Sequence, residues 1–127
     1  MSGDKEKIKQ IFNTKPPIEN EEAVRLSNPN VDRAIVASLV GASCELHQDK
    51  SERNACWELL RPLDKDSGPP PEDVLAEFYI REFDKGGLER MHLVADRTNY
   101  IQWKALQKAK QKLIEMGKLN PDGTPKT

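Results

Sequence analysis

Only one stretch of this chain is apolar enough to found a core. From Val31 to Leu46 the apolar side chains Val31, Ile35, Val36, Leu39, Val40 and Leu46 recur at helical spacing and define one broad face. The run Ala34 to Ala42 lacks the strict alternation of a half-buried strand, and its length favours a helix over a strand. Everything else must fold around this element. Leu, Ile, Val and Phe supply only 28 of the 127 residues, just above the level at which a chain stays disordered. The net charge is only −1, so little overall repulsion opposes collapse. One core is therefore expected, not two.

The remaining punctuation predicts helices throughout. A first helix is expected over 4–13, with Ile8, Ile11 and Phe12 at helical spacing, stopping before Pro16-Pro17. A short one follows over Glu19 to Ser27. Asn28-Pro29 opens the central helix, expected over 31–48. Ser51 reads as the N-cap of a helix with Cys56, Trp57, Leu59 and Leu60, ending near Pro62. Ser67-Gly68-Pro69-Pro70-Pro71 is the clearest spacer. Glu72 and Asp73 then open a helix over 72–84 that ends at Gly86-Gly87. A short helix is expected over 88–95, and a long one over 99–116. The fold class is all-α: a bundle of five to six helices with proline-rich connections. Its core lies in 31–48, 72–84 and 99–116, within a single domain over 1–119. Asn120-Pro121-Asp122-Gly123 can neither continue a helix nor add apolar surface, so 120–127 is expected to be a flexible tail.

The near-zero net charge hides a strong internal polarity. Residues 64–84 carry seven acids against two bases, and residues 97–118 carry six bases against Glu115 alone. Packed as neighbours, the two blocks would complement each other. Alternatively the basic block faces a partner. On the last helix Lys104, Lys108 and Lys112 form a stripe apart from the apolar side of Trp103, Leu106 and Leu113, with Tyr100 at its edge. Nucleic acid is the lesser candidate partner. The isoelectric point is near 6.1 and the stripe holds no arginine for reading bases.

Chemistry-bearing residues are sparse. Cys44, His47, Cys56 and His92 are the soft metal ligands, and their spacing matches no zinc pattern. Cys44 and His47 form the one local nucleophile–base pair, without a nucleophile elbow or oxyanion motif around it. Gly86-Gly87 is not a phosphate loop. No cofactor is expected. Pairing of Cys44 with Cys56 would need favourable helix packing, so reduced thiols in the cytoplasm are the simpler expectation. No run is long enough for a membrane span.

These observations point to a small non-catalytic protein–protein interaction module, an accessory, adaptor or inhibitor docking through a helical face. Its expected contact residues are Lys104, Lys108, Lys112, Tyr100 and Trp57. A nucleic-acid-associated protein acting through the basic last helix is the second reading. A metalloprotein or enzyme centred on Cys44 and His47 is the third.

Overall fold

Helix boundaries fall where prolines, glycines and short polar side chains put them. The computed structural model describes residues 2–14, 29–64, 68–88 and 99–126. Five α-helices organise them: α1 (Ser2–Phe12), α2 (Pro29–Glu45), α3 (Lys50–Glu58), α4 (Pro71–Lys85) and α5 (Asn99–Glu115). A single 3-10 turn, Arg61–Asp64, follows α3. There is no strand among the described residues, and the chain is all-α. The short helices expected over 19–27 and 88–95 lie outside these residues, Leu88 aside.

α4 is the centre of the packing. It opens on Pro71, whose fixed φ suits a first helical position, with Glu72 and Asp73 in the turn where the macrodipole favours acids. It closes on Gly86 at φ 74°, where the amides of Gly86 and Gly87 bond back to the carbonyls of Phe83 and Glu82. That left-handed position suits glycine because it has no Cβ. Val74, Leu75, Ala76, Phe78, Tyr79 and Ile80 are all buried. α4 packs against both α5 and α2, and its pairing with α5 is the most extensive in the molecule. The centre thus passes from the most apolar helix to the best-covered one. α2 buries Val36, Val40 and Cys44, spaced i, i+4, i+8, but leaves Val31 52% and Leu46 83% exposed. The broad face expected for α2 is only half used.

α5 buries Leu106 and Leu113, as its spacing predicts, and with them Ile101, Ala105 and Ala109. Trp103 is half-buried and donates its indole N–H to the Thr14 carbonyl at 2.9 Å. Gln107 donates to the Phe12 carbonyl at 3.1 Å. The Phe12 carbonyl is one that the last turn of α1 cannot bond internally, and that of Thr14 lies just beyond the helix end. Phe12 itself is fully buried, with its ring 6.3 Å from that of Phe83.

Two expectations are corrected here, together with the identity of one helix cap. First, Cys44 and Cys56 form a disulfide, with their Cα atoms 5.4 Å apart. The packing that pairing requires is present because α2 and α3 form a tight hairpin. Gly41 lets the Trp57 ring approach, such that a Cβ there would lie 3.2 Å from the indole. Asp49, rather than Ser51, caps α3, accepting the Ser51 amide at 2.8 Å. Arg53 then ties down the turn by donating to the carbonyls of His47 and Gln48.

Second, residues 120–126, expected to form a flexible tail, instead fold back in a turn. The Asn120 amide donates to the Thr124 carbonyl, and the Lys126 amide to that of Lys118. Asn13 on the end of α1 donates to the Asp122 carbonyl at 2.9 Å. Gly123, at φ 94°, lies so close to Asn13 that a Cβ would sit 2.8 Å from its amide nitrogen. The missing apolar contribution comes from Leu119, just before this segment, which is fully buried.

Candidate functional site: the basic helix, an apolar helix face and an interhelical cavity

The lysines of α5 meet the acids of α4. Lys108 pairs with Asp73 and, at 3.5 Å, with Glu72; Lys112 pairs with Glu77 at 2.8 Å; Lys118 pairs with Asp84 at 2.9 Å. Spacings of 34 and 35 residues between partners repeat along the helices, so the two charge blocks are in register. Hydrogen bonding to Asp73 raises the Lys108 ammonium above its ordinary range, and the Glu77 bond does the same for Lys112. These side chains remain about half exposed, so each pair contributes little stability and chiefly sets which helix faces which.

The expected contact residues are therefore not assembled into one patch. Lys104 sits over the Tyr100 ring, 5.0 Å from its centroid, and Tyr100 in turn lies 5.7 Å from Trp103. Lys108 and Lys112 are engaged with α4. Trp57, 43% exposed, stands apart on α3 beside Gly41 of α2. The Cys44–His47 pair has no thiolate to offer, since the Cys44 sulfur is bonded to Cys56. His47 faces Glu52 at 3.3 Å. Among the described residues no cluster of His, Cys, Asp or Glu has the makings of a metal site, and His92 lies outside them.

Two other features carry more. The first is the outer face of α2. Between Arg33 and Glu45 this helix has no charged residue, although 32% of the chain is charged. Ala34, Ala37, Ser38 and Ala42 are exposed, and Ile35 and Leu39 are half-buried. A shallow apolar groove of about 530 Å³ runs over Val31, Ala34, Ile35, Ser38 and Leu39.

The second is a cavity of about 770 Å³ where α2, the α2–α3 turn, α3, α4 and α5 meet. Leu39, Leu75 and Phe78 give it apolar walls; His47, Glu52, Glu82 and Lys85 bring charge. Tyr79 and Gln102 also line it. Each is almost wholly buried, and among the described residues neither the Tyr79 hydroxyl nor the Gln102 side-chain oxygen has a hydrogen-bond partner. Burial pushes the Tyr79 hydroxyl well above the ordinary tyrosine range, and the neighbouring Gln102 side chain only partly opposes this.

This cavity is absent from the reading of the sequence, although one signal for it was there. Gln102 falls on the stripe of Leu106, Ala109 and Leu113, at offsets of four, seven and eleven residues. A polar residue on an apolar stripe marks a buried polar group. No family model, curated protein or solved structure matches this chain. Among the described residues, no helix is long and apolar enough to cross a membrane.

Proposed function

We propose that this protein is a non-catalytic protein–protein interaction module, an accessory or adaptor whose docking face is the outer surface of α2. One observation carries the reading: a helix without charge over 34–44 is left half uncovered in a highly charged chain. Rows Val31-Ile35-Leu39 and Ala34-Ser38-Ala42 run as parallel ridges, and the groove between them suits a ridge of a second helix. The partner is accordingly an amphipathic helix presenting an apolar stripe. Small side chains on the second row favour close approach of that helix.

The basic α5 stripe supports docking less well than its sequence promised, because its cations already have partners. The same engagement weakens the nucleic-acid reading, which needs those lysines for phosphates. Unpaired thiols would suit the cytoplasm; the Cys44–Cys56 disulfide favours an oxidising compartment instead.

The decisive comparison uses affinity capture with the full chain, an Ala34→Glu/Ser38→Glu double variant, and a variant with Lys104, Lys108 and Lys112 changed to Gln. Both altered α2 positions are exposed, so the circular dichroism spectrum of the double variant should be unchanged. A protein held by the parent chain and the lysine variant, and lost by the double variant, is the expected outcome. Retention by the double variant with loss by the lysine variant would move the docking face to α5.

A further inference from the structure

The interhelical cavity needs a different explanation from the α2 face. A packed interior leaves few voids larger than a water, and buried polar atoms nearly always have partners. Here about 770 Å³ adjoins two buried polar side chains with unpaired atoms. That volume lies within the range of small-molecule sites, and apolar walls with a few polar groups are their usual make-up.

The polar inventory of the wall selects the ligand. Glu52 is matched by His47, 3.3 Å away. The carboxylate of Glu82 meets no cation and no hydrogen-bond donor among the described residues. It is seated over Gly87, where a Cβ would come within 2.5 Å of its Oε2, so the glycine gives the carboxylate its place at the rim. Gln102 adds a second acceptor without a donor. Besides His47, Lys85 is the one basic side chain in the lining among the described residues, and it is exposed. Among the described residues, the unmet demand is therefore for hydrogen-bond donors and positive charge beside an apolar floor.

We infer that this cavity binds a small primary amine with an apolar body. The ammonium sits on the Glu82 carboxylate, and the apolar body lies over Leu39, Leu75 and Phe78. A charge-assisted bond of this kind is among the stronger hydrogen bonds available to a protein. Leu39 borders both this site and the α2 groove, but the α2 positions Ala34 and Ser38 do not line the cavity, so the variants that test docking leave its lining unchanged.

The test is a titration of the isotope-labelled full chain, followed through its backbone amide resonances. Phenethylamine, 2-phenylethanol and 3-phenylpropanoate share an aromatic body and differ in charge. Phenethylamine should give saturable shifts at Ser43, Phe78, Glu82 and Gln102, with affinity at least about tenfold above that of the carboxylate. Glu82→Gln should reduce the amine to the level of the alcohol, and Glu82→Lys should reverse the order of amine and carboxylate. Glu82 is only partly buried at the rim, so both variants should keep the helical spectrum. Equal binding of amine and carboxylate, amine binding unchanged in both variants, or no saturable shift from any of the three would overturn the assignment.

Discussion

The hydroxyl of Tyr79 is buried, and among the described residues it makes no hydrogen bond to repay its lost hydration. Removing a buried polar group that has no partner leaves nothing unsatisfied behind. Tyr79→Phe should thus leave stability at neutral pH unchanged within about 1 kcal/mol, or raise it, as measured by thermal melting. A loss of 2 kcal/mol or more would show that the hydroxyl is bonded after all. The same residue sets the alkaline limit. Its folded pKa lies above the unfolded value of about 10, so its contribution is intact below that value and is lost as pH rises beyond it. Lys108 and Lys112, also raised, act in the same direction, losing their pairing energy as pH climbs through their folded values. The melting temperature should fall as pH rises above about 10, and less steeply in Tyr79→Phe. Nothing in the sequence distinguishes Tyr79 from Tyr100, because burial is decided by which helix covers which.

Among the helices, the burial of Tyr79, Ile101 and Gln102 was not legible, whereas the bounds and main apolar stripes of α4 and α5 were. Each has a cap or glycine stop, a clear apolar stripe, and burial at Leu106 and Leu113 where spacing places it. The hairpin of α2 and α3 was less so. Spacing identifies an apolar face but not how much of it neighbours will cover, and close approach at Gly41 is a property of two helices together. The disulfide follows from that approach. In the loop-closure account, a link across a separation of 12 residues stabilises by about 3 kcal/mol, chiefly by restricting the unfolded chain. A reducing agent, or a Cys44→Ala/Cys56→Ala double change, should lower the melting temperature clearly. An unaltered melt under reduction would mean that the link is not formed in solution. The C-terminal turn escaped notice because its proline and glycine residues signal a break without saying where the chain goes next. Deleting residues 119–127 removes a fully buried leucine and the bond from Asn13, and should destabilise by about 2–5 kcal/mol. Deleting only 120–127 should cost less. If the longer deletion melts like the full chain, the turn does not hold α1.

At the scale of the molecule, the opposed charge blocks neutralise each other in register along α4 and α5. Complementarity of the blocks was visible in the sequence as one of two outcomes, and the helix pairing selects it. Its macroscopic consequence is weak polyanion binding. Heparin chromatography at about 0.15 M salt should pass the protein with little retention, since cations bonded to carboxylates release few counterions. Strong retention that declines steeply with salt would restore the nucleic-acid reading. The cavity, by contrast, was illegible beyond Gln102, because the void is made by five segments that no local pattern relates. The two tryptophans finally give the fold a built-in optical readout. Trp57 sits at the α2–α3 joint and Trp103 at the α1–α5 joint. Replacing either indole with phenylalanine isolates the emission of the other, so each end of the bundle can be followed separately through denaturation. Coincident transitions would establish a single cooperative unit, and staggered ones would show which joint opens first.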